Sequence, residues 1–548
     1  MNIRQRAQEV YRFLVYVFIA VIICIYPFYA PEGYYHITTH KLEFLQNIIL
    51  FAGVLIGATL LLMLFGALLE VFREKKSYKE VFSFRLSRTD IFALCFAAAV
   101  TLSYLFSPYK EEALHGTSGW YMGLLMQLFF VATYLVVSRG YRGEKVFLWL
   151  FPIVSGIQAL WEVLNRFSVY PIDMKYRDTI IGEGKRAVKF VASLGNINWY
   201  CGFLAAFIGI GIGFYYLADK KWQRYVSGIY LFITWMAAVT QSSESIYLSM
   251  AGMFLFLIFT SFLNMKRCAR VVEMLMMFFG ACIVLRLLRI FFPYPDHFNL
   301  VGEGLLDFLT TGSFSLFCYL LCMALWAAVI YYFPEKVRKA DRKKLKKLRR
   351  SIYVGLLLLF CAYLLITLIH TIAPFLLPFL DGKGWFTFNE DYATARGATW
   401  GAGFRLFASL PFLRKFVGVG PDCFKVYSYS VDALREPLMA RFGDSTLTNA
   451  HGEWVNMLAN CGIFGAVSYA GIFISAFRRF YKSAEKDNTM ILFALCVISY
   501  VCNNIVSFQQ LVGTPFIFVI LGMGEGYYRH VICKIEEDTA PVSEKTGK

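Results

Sequence analysis

Charged residues are scarce in this sequence. Asp, Glu, Lys and Arg together make up 17% of the 548 residues, whereas hydrophobic residues make up 58%, and the mean hydropathy is +0.55. A water-soluble core cannot hide that much apolar surface, so a soluble globular protein is excluded. The 13 cysteines include no CxxC pair, and most fall in apolar runs, so they do not predict a metal or redox centre.

What the sequence has instead is a series of apolar runs near 20 residues long. A helix of that length crosses about 30 Å of hydrocarbon. The runs predict an all-α polytopic membrane protein with about 14 transmembrane helices. They cover residues 12–30, 46–72, 90–107, 119–138, 146–166, 198–217, 223–240, 245–263, 271–292, 312–333, 351–371, 463–478, 490–507 and 511–528.

Cationic clusters mark alternate connections between these runs. Lys and Arg outnumber Asp and Glu by 54 to 37, and their clusters include Arg73 to Arg88, Lys266 to Arg270, and Lys336 to Arg350. By the positive-inside rule these connections face the cytoplasm, which also places both termini there. The net charge of +17 therefore indicates topology, not nucleic-acid binding. The Lys336 to Arg350 run has a second interpretation, as a patch for anionic lipid.

The spans divide the chain into four regions. Residues 1–371 form an N-terminal bundle of about 11 spans, 372–462 a large extracytoplasmic loop, 463–528 the C-terminal transmembrane helices, and 529–548 a cytoplasmic tail. The loop is rich in Trp and Phe, which predicts a folded segment. Its apolar spacing predicts an amphipathic helix from Thr399 to Phe416 and a second from His451 to Leu458. Gly418 and Gly420 are expected to serve a turn.

Arginines on the outer side run against the positive-inside trend. Guanidinium groups bind phosphate oxygens bidentately and keep their charge when desolvated, so an outer cavity holding several of them suits a diphosphate. The alternative is scattered surface charge that contacts lipid phosphates. The candidates are Arg186, Arg396 and Arg405, with Arg286 and Arg289 near the outer end of the ninth run.

His451 is the only histidine of the outer loop, and it lies in a polar patch from Thr448 to Glu453. Histidine accepts protons near neutral pH, so His451 is a candidate general base; the alternative is a histidine that bonds locally at a helix start. Glu244 is either the partner of an active-site arginine or an exposed turn residue. Asn198 is a candidate to bind substrate hydroxyls or to cap a helix, and Trp400 is a candidate to stack on a substrate ring or to anchor the interface.

Four motifs follow one another over about seventy residues, and their order is more specific than any one alone. They are Arg396-Gly397-Ala398-Thr399-Trp400, Gly418-Val419-Gly420-Pro421-Asp422-Cys423-Phe424, Ala450-His451-Gly452-Glu453-Trp454 and Cys461-Gly462-Ile463-Phe464-Gly465. Together they resemble the signature region of the O-antigen ligase/polymerase family, which is a family of membrane transferases that use lipid-linked glycans. One departure is that the family commonly has arginine after Val239-Thr240-Gln241-Ser242, whereas this chain continues Ser243-Glu244.

The resemblance implies a metal-independent and cofactor-free glycosyltransferase in a bacterial cytoplasmic membrane. Its donor would be an undecaprenyl-diphosphate-linked glycan, and its acceptor a hydroxyl of a glycan, lipid or wall polymer at the outer face. His451 would be the base and Arg396 a diphosphate-binding cation, with Arg186, Arg286 or Arg289 filling the place of the missing arginine. Two other functions stay open: a transporter or flippase for such lipids, and a sensor that binds them without catalysis.

Overall fold

The computed structural model describes residues 2–82, 85–172, 174, 180–181, 185–186, 191–292, 303–339 and 341–539. Most of these residues form helices. One antiparallel pair of two-residue strands, β1 (Ile180–Ile181) and β2 (Lys185–Arg186), lies between α7 and α8. The helices are α1 (Ile3–Cys24), α2 (Ile37–Phe72), α3 (Tyr78–Val81), α4 (Arg88–Phe106), α5 (Lys110–His115), α6 (Leu124–Gly140), α7 (Val146–Arg166), α8 (Ile197–Leu217), α9 (Lys221–Gln241), α10 (Glu244–Ser261), α11 (Met265–Phe291), α12 (Glu303–Thr310), α13 (Phe314–Ala327), α14 (Phe333–Lys339), α15 (Arg342–Ile372), α16 (Tyr392–Ser409), α17 (Arg414–Val417), α18 (Phe424–Ser430), α19 (Asp432–Phe442), α20 (Glu453–Ser483), α21 (Met490–Asn503), α22 (Thr514–Tyr527) and α23 (Cys533–Thr539).

Within the described residues, 10 helices are long and apolar enough to cross a membrane. They confirm the expectation of an all-α polytopic membrane protein. The other four predicted spans are also occupied by helices, namely α6, α9, α21 and α22, but these fall outside that set. The count of fourteen therefore stays a prediction.

Helix α8 forms the centre of the bundle. In its most apolar stretch 89% of the residues are buried, and its glycines let neighbouring helices approach closely. A Cβ at Gly209 would lie 2.6 Å from the backbone nitrogen of Cys496 in α21, which is the kind of contact that small residues permit between membrane helices. By contrast, α2 and α15 have only 11% and 6% of the corresponding residues buried, so they form the periphery.

Helix α20 is broken at Gly462, where the backbone has φ 65° and ψ −168°. The chain from Phe416 to Pro421 packs against this break. The amide of Val419 donates to the Ala459 carbonyl at 3.2 Å, and that of Gly420 donates to the Asn460 carbonyl at 2.9 Å. The carbonyls freed by the break are thus satisfied by a neighbouring segment, as a membrane interior requires.

The segment from Phe416 to Pro421 and the break in α20 cross each other, and two serines of α4 donate hydrogen bonds to this crossing. Ser103 donates to the Asn460 carbonyl at 2.9 Å, and Ser107 donates to the Val419 carbonyl at 2.7 Å. A Cβ at Gly418 would lie 2.2 Å from the Asn460 carbonyl oxygen, and one at Gly420 would lie 2.4 Å from Ser107 Oγ. The two glycines therefore serve a turn, as expected, and also a close approach between backbones.

The sequence-based helix boundaries of the loop were wrong in two places. The helix predicted from Thr399 to Phe416 instead starts at Tyr392 and ends at Ser409. Pro411 explains the early end, because proline lacks an amide donor and clashes with the preceding turn. The stretch predicted from His451 to Leu458 begins two residues later than expected, at Glu453, and it continues into the twelfth span as predicted, because both belong to α20.

We predict that Gly418→Ala destabilises the protein more than Gly443→Ala does. Both residues have positive φ, at 76° and 54°, but a Cβ at Gly443 would meet nothing within 4 Å. The control should therefore cost about 1 kcal/mol, for the left-handed backbone alone, whereas Gly418→Ala should cost about 3 kcal/mol because the crossing must also move apart. Thermal unfolding midpoints in detergent measure the difference. Equal losses for the two variants would contradict the packing role.

Candidate functional site

Arg396 and His451 are in contact although 55 residues separate them in the chain. Arg396 Nη1 lies 3.1 Å from His451 Nδ1. Arg396 lies in the second turn of α16, and His451 lies two residues before α20, in a left-handed conformation with φ 48°. The Asn449 side chain stabilises that conformation, because its Oδ1 accepts the His451 amide at 2.9 Å.

The chemistry of this contact fixes the tautomer of His451. A guanidinium has only donors, so His451 Nδ1 must be the acceptor, and the proton of the neutral ring lies on Nε2. Burial and then the positive charge of Arg396 lower the pKa of His451 to about 4. The imidazole is therefore neutral at physiological pH, with its lone pair on Nδ1 bound by the arginine.

Arg396 is itself largely withdrawn from water. Burial lowers its pKa, and the negative charge of Glu244 acts in the opposite direction. Within the part of the chain that the structure describes, Arg396 Nε is buried without a hydrogen-bond partner. A buried guanidinium that keeps a free donor and has only a neutral nitrogen as acceptor is poised to bind an anion.

Aromatic rings form the walls around His451. Trp400 follows Arg396 by one helical turn, and its Nε1 donates to the His451 carbonyl at 3.4 Å. A Cβ at Gly452 would lie 2.6 Å from the same Trp400 nitrogen, so glycine is needed there. The ring of Phe508 meets the imidazole edge to face, with centroids 5.1 Å apart. Trp400 therefore positions the histidine, a role that the sequence interpretation did not consider.

The stretch from Asn503 to Thr514, between α21 and α22, is a polar layer under the site. The amide of Glu453 donates to the Asn504 and Ser507 carbonyls at 3.0 and 2.8 Å. Its buried carboxylate accepts Asn504 Nδ2 at 2.7 Å and also accepts the Tyr469 hydroxyl. The polar layer thus fixes the start of α20, and with it the histidine two residues earlier.

Asp422 ties the glycine-rich turn to the connection before α6. Its buried carboxylate accepts the amides of Thr117 and Met122 at 2.8 and 3.1 Å. Burial raises the pKa of Asp422 to about 7, against the effect of these two amides. A cavity of about 20 Å³, lined by Asp422, Asn449 and Phe508 among others, lies beside this anchor and has room for one water molecule.

Glu244 connects the Arg396–His451 pair to a second buried charge cluster. It begins α10 and interacts electrostatically with Arg396, which favours the arginine-partner interpretation over that of an isolated turn residue. Just before it, Thr240 and Gln241 donate to the fully buried carboxylate of Glu162 at 2.9 and 2.7 Å. The turn between α9 and α10 therefore lies between two charged groups. The end of α9 is bonded to Glu162, and the start of α10 interacts with Arg396.

Arg166 is the cation that the sequence interpretation missed. It ends α7, is 1% exposed, and lies within electrostatic range of Glu162. The signal was present in the sequence, because Glu162 and Arg166 are ionisable residues four apart inside a predicted span. Glu162 is therefore the group that both Arg166 and the end of α9 interact with.

The remaining candidate residues do not join His451. Arg405 is exposed, and nine residues after Arg396 it points to the opposite side of α16. Arg286 Nη1 donates to the Gly312 carbonyl at 3.3 Å, and Arg289 forms an ion pair of 2.5 Å with Asp307, so both are bound to the α12 segment. The side chain of Arg186 lies outside the described residues.

Asn198 lies at the start of α8. Its backbone amide donates to Asn196 Oδ1 at 2.8 Å, so Asn196 is the capping residue. The Asn198 side chain is half-buried.

Among the described residues, no group of three His, Cys, Asp or Glu side chains is arranged to hold a metal ion.

The fold and the site define a polytopic helical membrane protein with a half-buried His–Arg pair at one end of its bundle. No family model matches the chain, and a search of curated proteins finds no significant match.

We predict that His451 titrates near pH 4 and that Arg396→Met raises this value toward 6.5. Removing the guanidinium removes a positive charge that opposes protonation, while burial continues to hold the pKa down. NMR of protein labelled with ¹³C at histidine measures the titration, and the signal lost in His451→Gln assigns the resonance among the seven histidines. Arg405→Met is the control and should leave the value unchanged. No shift in Arg396→Met would show that the two side chains do not interact.

Proposed function

We propose that this protein is a glycosyltransferase of the O-antigen ligase/polymerase type. It moves an undecaprenyl-diphosphate-linked glycan to an acceptor hydroxyl at the outer face of a bacterial cytoplasmic membrane. The observation that supports this proposal best is the 3.1 Å contact between Arg396 and His451. It joins a phosphate-binding side chain to a potential base, from two of the four motifs on which the family resemblance depends.

The reaction needs these two groups in different roles. The acceptor oxygen forms a bond to the anomeric carbon of the donor sugar while its proton passes to His451 Nδ1. The bond between that carbon and the diphosphate oxygen breaks, and its electron pair leaves with undecaprenyl diphosphate. Arg396 stabilises the charge that develops on the departing diphosphate, as a preorganised donor in a site with little water.

Donor binding would also activate the base. Arg396 Nη1 donates to the lone pair of His451 Nδ1, so the histidine cannot accept a proton there while this contact is made. A diphosphate is a far better acceptor for a guanidinium than a neutral ring nitrogen. When Arg396 turns to the diphosphate, Nδ1 becomes free, and the anion raises the pKa of the imidazole. The base is then released only when a donor is present.

Arg166 is our candidate for the charge that the family places after Ser242. In this chain the residue after that serine is Ser243, and Glu244 follows. Arg166 reaches the same turn from α7, through Glu162 and its bonds to Thr240 and Gln241. This assignment replaces Arg286 and Arg289, which are engaged by the α12 segment.

A transporter or flippase for the same lipids is the second candidate function. A buried arginine beside a polar layer would also bind a diphosphate in transit. The contact to His451 favours catalysis, since transport requires an anion site but no base. The two functions differ in whether a bond is formed, and this distinction decides the assay.

His451→Ala should reduce the rate of glycan transfer about a thousandfold, because it removes the proton acceptor. The assay uses purified protein in proteoliposomes with undecaprenyl-diphosphate oligosaccharide, and it detects both lengthened glycan and released undecaprenyl diphosphate. His115→Ala is the matched control, since His115 is an exposed histidine of α5. Donor binding should survive in His451→Ala. Transfer at the wild-type rate in that variant would remove the base assignment, and flipping without transfer by the wild-type protein would favour the transporter.

Arg396→Lys should reduce kcat/KM for the donor about a hundredfold even though the charge is kept. A point charge cannot make the two parallel hydrogen bonds of a guanidinium to phosphate oxygens. Arg405→Lys makes the same change on the exposed side of the same helix and should retain wild-type activity. If Arg396→Lys behaves like this control, the phosphate contact is wrong.

A further inference from the structure

A second cavity lies between α4 and the last turns of α20, at the end of the bundle opposite to His451. Its volume is about 850 Å³, which is the size of pockets that hold small ligands or part of a lipid. Its two main walls are α4 and α20, which Ser475 and Thr89 link by a hydrogen bond of 3.2 Å, and Tyr528 and Glu536 complete the lining. The motif-bearing loop does not line it, so it is separate from the site described above.

The α20 wall changes from apolar to basic along a single stripe. Val467, Gly471, Ile474, Arg478 and Lys482 follow one another at intervals of three or four residues, so they lie on one side of the helix. This stripe is about 22 Å long at 1.5 Å per residue. Val467 and Ile474 are 60% and 67% exposed, and they form the apolar half.

The side chains of the α4 wall also change from apolar to basic, in the same direction as those of α20. Phe92 lies at the level of Gly471, where a Cβ on the glycine would be 2.2 Å from the ring. Arg88 lies one turn away, at the start of α4 and on the same side as Phe92. Both walls therefore present apolar side chains within the bundle and cations at the helix ends, where the lipid head groups of a membrane lie.

Three of the cavity's cations are available to a ligand. Arg479 is paired with Glu525 at 3.2 Å and stacks on Tyr528, and Lys486 is paired with Glu536. In contrast, Arg88, Arg478 and Lys482 are exposed and have no hydrogen-bond or ion-pair partner within the described part of the chain. Glu536, the one acidic residue of the lining, is already neutralised by Lys486.

We propose that this groove is a binding site for a membrane lipid with a phosphate head group, whose phosphate lies among Arg88, Arg478 and Lys482 and whose chains lie along Phe92 and Ile474. The apolar-to-basic order of both walls matches an amphiphile that enters from the leaflet on the positively charged side, which the positive-inside rule assigns to the cytoplasm. A glycerophospholipid and a polyprenyl phosphate share this chemistry.

Native mass spectrometry of the full-length protein tests the site with phosphatidylglycerol and phosphatidylcholine as probes. Wild-type protein should retain one phosphatidylglycerol in preference to phosphatidylcholine, and Arg478→Glu/Lys482→Glu should weaken its retention at least about tenfold. Lys220→Glu/Lys221→Glu is the matched control, with two exposed lysines at the start of α9 that do not line the groove, and it should behave as wild type. Equal retention of both lipids by the wild type, or equal losses in both variants, would overturn the proposal.

Adding undecaprenyl phosphate identifies the natural source of the phosphate. If it displaces phosphatidylglycerol at equimolar concentration from the wild type, the groove selects the carrier lipid. If phosphatidylglycerol stays bound, the groove selects a glycerophospholipid. Arg478→Glu alone, compared with Lys221→Glu, keeps the test decisive should the double variant unfold, because each changes one exposed side chain. Retention by Arg478→Glu equal to that of Lys221→Glu would reject the site.

Discussion

Polar groups inside this bundle have to find their partners within the protein, because hydrocarbon offers none. That constraint organises both ends of the molecule. Near the basic end, the buried carboxylate of Asp90 accepts the Tyr134 hydroxyl at 2.7 Å and Arg139 at 2.9 Å, and it also pairs with Arg529. Near the other end, Glu453 performs the same task for α20 and the layer after α21. Unbroken helices satisfy their own backbones between these clusters.

The pair of Arg396 and His451 follows a different rule. It brings a cation to a group that becomes cationic on protonation, and it does so where water is largely excluded. Such an arrangement costs stability, and proteins keep costly arrangements mainly where they are used. The surrounding contacts from Trp400, Asn449 and Phe508 hold the histidine in its left-handed conformation despite that cost.

The sequence predicted the architecture well because the apolar runs are long and the charge pattern alternates. Each predicted span contains a helix. It also predicted the central pair, since Arg396 and His451 belong to motifs whose order is informative.

The errors have physical causes. The apolar spacing continues past Pro411, so it predicted a helix that the proline in fact terminates. Glu162 and Arg166 are visible in the sequence as ionisable residues of an apolar run, but only the packing of α7 shows that Glu162 contacts the end of α9 and interacts with Arg166. Likewise, Arg286 and Arg289 were assigned to the site only because they were predicted to lie on the same side of the membrane. A shared side of the membrane does not show that two residues are in contact.

The crossing of the glycine-rich turn with the broken helix determines how the molecule can be divided. The residues that pack around Val419 include Ala113 from α5 and Ala459 from α20, together with Leu406 and Phe424 from the loop itself. The ninety residues between α15 and the break in α20 therefore share their interior with the membrane bundle. An excised loop would expose the surfaces that its glycines now press against, so it is an inseparable lobe of the bundle and not a detachable ectodomain.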